Sequence, residues 1–158
     1  MSRHDAPALR LSARSIIMLV ISALMGVVVF GWPLLLTPGS ELSTDELAPM
    51  LLVLVVPLLL AVVTAEITGD QADVKALALL GVMSAVVAAI RPLGAGTAGI
   101  ETVFMPIILA GRVFGPGFGF VLGNTGLFAS ALMTAGVGPW LPYQMLAAGF
   151  LGPVSYTH

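Results

Sequence analysis

The sequence contains no cysteine and few charged residues. Of its 158 residues, 58% are hydrophobic and 9% are charged, whereas about 25% are charged in an ordinary soluble domain. Without cysteine, the chain can form no disulfide, no thiolate metal site and no cysteine nucleophile. Six basic and eight acidic side chains are too few to cover the surface of a water-soluble protein of this length. The composition excludes a soluble enzyme and predicts that lipid surrounds most of the surface.

The residues that usually carry catalysis are scarce or poorly placed. His4 and His158, the two histidines, lie at opposite ends of the chain, so the serines have no histidine base. Glu66, Asp70 and Asp73 lack metal-ligand spacing. No Gly-rich loop ending in Lys-Ser or Lys-Thr is present. We therefore expect no catalytic residue, no metal site, no cofactor and no nucleic-acid partner, and we expect any energised work to depend on a partner or an ion gradient.

Hydrophobic runs predict a single transmembrane domain over residues 1–152. A helix needs about 20 apolar residues to cross a bilayer. The predicted spans are residues 15–37, 48–67, 76–90, 102–114, 118–134 and 140–152. The third is predicted to stop at Arg91-Pro92, because proline disfavours the α conformation in the residue before it. The last span is too short to cross, so we expect an all-α integral membrane protein with six helices, a truncated last helix and a non-native tail at 153–158.

The distribution of basic residues predicts the orientation. If the N-terminus is cytoplasmic, five of the six basic residues lie inside and only Arg91 lies outside. The opposite orientation would invert this ratio. The Gly-rich segment at 94–99, Glu101 and Trp140 then lie at the outer face.

A Gly-rich segment matches the G-x-G-x-x-G pattern through Gly94, Gly96 and Gly99. A dinucleotide site would also need a preceding strand, a surrounding βαβ unit and a later acidic residue, and the sequence predicts none of them. A loop that can approach or cover a ligand is the better interpretation. Arg91 and Glu101 flank the loop, either as interfacial charges that reach water or as the lining of an outward-facing pocket.

Small residues recur at helical spacing in two places. Glycine occurs every four residues from Gly111 to Gly123, a spacing that lets helices approach closely, and packing within the chain is the favoured interpretation. Ser22 and Gly26 form a similar face in the first span. For that face, packing within the chain and docking of another subunit are equally open.

Aromatic and amide side chains gather at the start of the last span. Trp140 and Tyr143 have the composition of membrane-interface anchors. Together with Gln144 they also provide a stacking surface with a hydrogen-bond donor and acceptor, which suits a flat heteroaromatic ligand. Asn124 in the fifth span is a further uncharged polar group that a bundle interior must satisfy, and we expect it to belong to the substrate-binding residues.

Three stretches resemble one family of membrane proteins. They read RPLGAGTAG at 91–99, GRVFGPGFGF at 111–120 and GVGPWLPYQML at 136–146. Together they resemble the substrate-specific S components of energy-coupling factor (ECF) transporters, most closely the actinobacterial type. The likeness extends more weakly over the first three spans.

The resemblance implies a six-helix S-component bundle in the bacterial cytoplasmic membrane that binds a vitamin or related micronutrient from outside. It implies a transmembrane T component and two cytoplasmic ATPase subunits as partners, with no ATP hydrolysis by the chain itself. The family's pocket corresponds here to Arg91, the loop at 94–99, Glu101, Trp140, Tyr143 and Gln144. Family members often dock on the T component through Ala-x-x-x-Ala in the first helix, where this chain has Ser22 and Gly26.

Two alternatives come from other classes. One is a self-sufficient channel or secondary transporter, and the other is a structural membrane assembly factor. An ion-coupled transporter should carry acids or amides near mid-bilayer, yet the first three spans have no ionisable residue at their centres. The polar and aromatic outer residues disfavour the assembly factor. The residues leave the identity of the micronutrient open.

Overall fold

The computed structural model of the chain describes residues 13–35, 44–68, 73–94 and 101–156. These residues form six α-helices and no strand, which confirms the all-α prediction for the described part of the chain. The helices are α1 (Ala13–Leu35), α2 (Thr44–Ile67), α3 (Val74–Gly94), α4 (Phe104–Phe114), α5 (Pro116–Met133) and α6 (Leu141–Tyr156).

The end of α3 corrects a predicted boundary. The helix continues to Gly94, with Arg91 in its last turn and Pro92 inside it. Proline biases the preceding residue away from the α region but does not forbid it. Pro92 has no N–H to donate to the Ala88 carbonyl, so α3 loses one hydrogen bond of its ladder, but only Leu93 and Gly94 follow Pro92 in the helix. Arg91 is therefore carried by a regular helix and not by a loop.

The sixth helix extends beyond its predicted end. It continues through Pro153 to Tyr156, whereas the sequence predicted residues 140–152. The Ser155 hydroxyl lies 3.1 Å from the carbonyl oxygen of Ile108 in α4 and 2.8 Å from that of Gly152. This contact does not test the predicted non-native tail at 153–158, which stays a prediction.

Helix α5 lies at the centre of the bundle. It contacts α2, α3, α4 and α6, and most of its residues are buried. Phe118 and Phe120 are completely buried. The ring centroid of Phe118 lies 4.9 Å from that of Phe114, and the ring centroid of Phe120 lies 5.4 Å from that of Phe150. A hydrogen bond of 2.7 Å between the Ser84 and Thr125 hydroxyls links α3 to α5. These contacts fix the helices that carry the candidate site.

Glycine brings α4, α5 and α6 into backbone contact. A Cβ atom added to Gly119 would lie 2.6 Å from the Cα of Gly152 and 2.7 Å from the Cα of Gly111. Gly123 lies against the carbonyl group of Ala148 in α6. Backbone atoms cannot rotate away as a side chain can, so these positions admit only glycine at this helix separation. The four-residue glycine repeat thus packs within the chain, as the spacing predicted.

A single residue, Gly115, joins α4 to α5. Its φ of 101° and ψ of 165° fall in a region that is essentially restricted to glycine. Its amide donates to the Gly111 carbonyl, and its carbonyl accepts from the Gly119 amide, both at 3.1 Å. The short junction holds the two helices at a fixed angle, because no further linker residues can absorb a change.

We expect Gly115→Ala to lower the free energy of unfolding by about 1–3 kcal/mol, because alanine at this φ is strained. Thermal unfolding of the purified protein in detergent measures the effect. Gly81→Ala in α3 is the matched control, since a Cβ there meets nothing within 4 Å and alanine favours a helix by about 1 kcal/mol relative to glycine. If the melting temperature of Gly115→Ala equals or exceeds that of Gly81→Ala, a side chain at position 115 does not strain the backbone of the junction.

The surface of the described helices is rich in apolar side chains. Seven large apolar residues are more than two-thirds exposed: Val27, Leu34, Val53, Val74, Leu93, Met105 and Met133. By length and hydropathy, one described helix, Val74–Gly94, could cross a membrane, and its most apolar window has a mean hydropathy of 2.0 with 22% of its residues buried. Shorter apolar segments are Leu19–Gly31, Val53–Ala65 and Phe104–Phe114. Membrane insertion therefore stays a prediction.

Candidate functional site

The candidate site lies where α3 ends and α6 begins. Arg91 stands in the last turn of α3, and its Nη2 donates to Oε1 of Gln144 in the first turn of α6 at 2.5 Å. Both side chains are half-buried. The contact joins two residues that are 53 positions apart in the sequence. It brings together the first and third of the stretches that carry the family resemblance.

Trp140 lies in the turn that leads into α6. The Leu141 amide donates to the Gly138 carbonyl at 3.0 Å, and the Gln144 amide donates to the Trp140 carbonyl at 3.1 Å. The indole lies directly against Gly138, where an added Cβ would be 2.5 Å from the ring atom Cζ2. The side chain is nevertheless 54% exposed. The indole is thus supported by backbone on one side and accessible over about half of its surface.

Tyr143 connects the site to α1. Its ring meets that of Phe30 edge to face, with the centroids 5.4 Å apart and an interplanar angle of 78°. Such pairs stabilise by about 0.5–1.5 kcal/mol beyond the area they bury. We refer to Arg91, Trp140, Tyr143 and Gln144 together as the Arg91 cluster.

The Arg91 cluster carries the positive charge of the guanidinium group. The carboxylates whose side chains the structure describes belong to Asp73 and Glu101, and neither forms an ion pair with Arg91. Glu101, the predicted companion of Arg91 across the loop, is exposed. The cluster therefore combines a half-buried cation, an amide and an accessible indole.

The structure does not bring every predicted residue to this cluster. Gly94 is buried at the end of α3, and Gly96 and Gly99 lie outside the described residues. Asn124 is completely buried in α5. Its Nδ2 donates to the Phe120 carbonyl at 2.9 Å and lies against Gly149, more than one helical turn along α6 from Gln144. The Oδ1 atom of Asn124 has no partner in the described part of the chain.

The two residues of the predicted docking face, Ser22 and Gly26, lie in different surroundings. Ser22 is completely buried, and its hydroxyl has no partner among the described residues. Gly26 is half-buried, and a Cβ there would meet nothing within 4 Å. It opens on an apolar groove of about 350 Å³ between α1 and α6. The groove is lined by Ala23, Gly26, Val27, Phe30, Leu146, Ala147 and Phe150.

The sequence did not reveal this groove, because it lies between the first helix and the last. The signal available was the set of small residues in it, Ala23 and Gly26 in α1 and Ala147 in α6. Small side chains leave an open groove only when the two helix backbones do not approach each other closely. The distance between two helices cannot be read from the sequence of either helix.

The described residues contain no group of three or more histidine, cysteine or acidic side chains that could hold a metal ion. Within the part of the chain that the structure describes, the hydrogen bond between charged or amide side chains at the site is the one between Arg91 and Gln144. The chemistry offered by the Arg91 cluster is therefore hydrogen bonding, charge attraction and stacking, which are the means of binding a small molecule.

Comparison with known proteins finds no family model that matches the chain, no matching curated protein and no matching solved structure. The likeness to S components therefore rests on the sequence alone, and mainly on the three stretches. The structure adds that the first and third stretches contact each other through Arg91 and Gln144. Gly111 and Gly119 of the second stretch pack against Gly152 of α6, which lies beyond the third stretch.

Proposed function

We propose that this chain is the substrate-binding membrane subunit, or S component, of an ECF-type importer for a vitamin or related micronutrient. The observation that carries the proposal is the hydrogen bond between Arg91 and Gln144. It unites two separate stretches of family-like sequence at one end of the bundle, beside an accessible indole. A half-buried cation, an amide and an aromatic surface at one place are suited to hold a polar aromatic molecule.

Insertion in the bacterial cytoplasmic membrane, with the N-terminus in the cytoplasm, is part of the proposal. Core helices of soluble proteins can match a membrane span in length and hydropathy, but they are mostly buried, whereas only 22% of the apolar window of α3 is buried. Large apolar side chains such as Leu34 and Val53 are 88% and 75% exposed. A soluble monomer rarely exposes contiguous apolar patches of more than a few hundred Å². Lipid is the solvent that such a surface fits.

A self-sufficient channel or secondary transporter is the alternative. Ion-coupled carriers place ionisable groups inside the bundle. In the described part of this chain, the buried polar side chains are Ser22, Asn124 and Ser130, none of which is ionisable. This composition favours a binding subunit that draws energy from the T component and two ATPase subunits.

The proposal is tested by separating binding from uptake. The chain expressed alone should bind its micronutrient but support no uptake, and uptake should appear when a T component and two ATPase subunits are co-expressed. Uptake of radiolabelled cobalamin, riboflavin and thiamine by cells, with mass spectrometry of the molecule retained by the purified chain, provides the measurement. Uptake by the chain alone in proteoliposomes with an ion gradient would favour the secondary transporter.

We expect single cysteines introduced at Thr97 and Ser43 to react with a membrane-impermeant maleimide in intact cells. The chain has no native cysteine, so each variant carries one thiol. A cysteine at Gln71 is the control, because the positive-inside pattern places it with Lys75 in the cytoplasm. It should react only after the cells are opened. Reaction of Gln71→Cys in intact cells, without reaction at the other two sites, would invert the topology.

We expect Gly26→Leu to weaken co-purification of the chain with the T component, because a leucine would fill the groove between α1 and α6 against which a partner helix would pack. The variant should fold, since a Cβ at Gly26 meets nothing within 4 Å. Gly31→Leu is the control on the same helix, with equally open space but outside the groove. Equal co-purification of the two variants would move docking away from Gly26.

A further inference from the structure

The Arg91–Gln144 pair is rich in hydrogen-bond donors. A guanidinium group has five N–H donors and no acceptor, so Gln144 must turn its amide oxygen toward Arg91 and its amide nitrogen away. The contact between Nη2 and Oε1 therefore uses one of the two lone pairs on the single acceptor atom of the pair. No other hydrogen bond of either side chain is found among the described residues. Among the described residues, the two side-chain N–H groups of Gln144 and most of those of the Arg91 guanidinium have no acceptor.

No carboxylate whose side chain the structure describes balances the charge of the pair. A cation that is partly removed from water is normally paired with an anion, because its desolvation is otherwise uncompensated. Arg91 is half-buried, and among the side chains that the structure describes its partner is a neutral amide. The pair therefore presents positive charge and donors together, which is the complement of an oxyanion.

We infer that the Arg91 cluster binds a micronutrient that carries an oxyanion, either a carboxylate or a phosphate ester, attached to a flat group. The inference rests on the proposed function and names the chemical class of its substrate. The guanidinium donates two parallel N–H bonds to two oxygens of the anion, and Gln144 Nε2 donates a further bond. The flat group lies on Trp140, whose accessible indole is carried one turn before Gln144.

The decisive variant is Gln144→Glu. It keeps the shape of the side chain, replaces the neutral partner of Arg91 with a carboxylate and removes both amide donors. The probe is the compound that the wild-type protein retains through purification in detergent, with its formula determined by mass spectrometry. We expect an acidic compound whose Kd, measured by calorimetry, rises about 10- to 100-fold in Gln144→Glu, the range for losing a charge-assisted contact.

Further variants and chemical changes separate charge from shape. Arg91→Gln should weaken binding as strongly, and Arg91→Lys should fall between it and the wild type, because lysine keeps the charge but not the planar fork. Arg112→Gln, which removes an exposed cation from the last turn of α4, should leave Kd unchanged. Methyl esterification of the compound weakens binding if the anion is a carboxylate, and enzymatic dephosphorylation weakens it if the anion is a phosphate.

Failure of the inference and failure of the proposed function give different results. A retained micronutrient without an acidic group, bound equally by the wild type, Gln144→Glu and Arg91→Lys, would overturn the inference and leave the transport function standing. If the wild type retains no small molecule and binds none of the micronutrients tested for uptake, the proposed function fails and the inference fails with it.

Discussion

Gly119→Leu should prevent the chain from folding into the six-helix bundle, and Gly119→Ala should lower the free energy of unfolding by about 3 kcal/mol or more. A Cβ at Gly119 would lie 2.6 Å and 2.7 Å from the Cα atoms of Gly152 and Gly111. Overpacking a core side chain typically costs about 1–3 kcal/mol because neighbouring side chains can rearrange. Here the neighbours are backbone atoms of two other helices, so whole helices would have to separate.

The measurement is thermal unfolding in detergent, together with the yield of monodisperse protein. Gly26→Ala and Gly81→Ala are the controls, because an added Cβ at either position meets nothing within 4 Å. Both should unfold at or above the wild-type temperature, since alanine favours the helix over glycine. A Gly119→Ala variant as stable as these two would mean that α4, α5 and α6 lie farther apart than the structure places them.

The contrast among these glycines shows what sequence spacing can predict. Glycine every four residues from Gly111 to Gly123 predicted close packing, and Gly119 and Gly123 do meet α6. Spacing could not predict the partner residues, Ala148 and Gly152, because a one-dimensional repeat contains no information about which helix faces it. Spacing also could not distinguish Gly115 from the packing glycines. Gly115 is needed for its backbone conformation at the junction of α4 and α5 and not for a packing contact.

Helix number followed from the hydrophobic runs, whereas helix ends depended on tertiary contacts. Pro92 predicted a stop after residue 90, but α3 continues to Gly94. The local bias of a residue before proline is small enough for neighbouring contacts to override it. The correction matters for the site, because it places Arg91 on a helix whose position is fixed by contacts with α5. A side chain on a packed helix is better positioned than one on a loop.

The candidate site was predicted as a set of residues and not as a geometry. The sequence predicts four site residues from their chemistry, Arg91, Trp140, Tyr143 and Gln144, and the structure joins Arg91 to Gln144 directly. The same reasoning predicts Asn124, yet Asn124 lies against Gly149 inside the bundle. Polarity alone cannot separate a ligand contact from a buried amide that hydrogen-bonds its own helix, because both need only a polar side chain in an apolar span.

Removal of the indole should reduce micronutrient affinity more than any other apolar substitution in the Arg91 cluster. We expect Trp140→Ala to cost about 1–3 kcal/mol of binding free energy, which is roughly 10- to 100-fold in Kd. Trp140→Phe should lose less, because a smaller ring still stacks. Calorimetric titration of the purified variants in detergent, with the compound that the wild type retains, measures the effect.

The competing role for Trp140 is an anchor at the membrane interface, and the two roles predict different changes. An anchor holds the turn before α6, so its loss would lower the melting temperature and the yield while Kd stays at the wild-type value. Val137→Ala is the matched control, because Val137 is an apolar residue, 49% exposed, in the same connection between α5 and α6. It should leave Kd unchanged. The indole also covers Gly138, so either role of Trp140 predicts a modest loss of stability in Trp140→Ala. The change in Kd is the result that distinguishes ligand stacking from membrane anchoring.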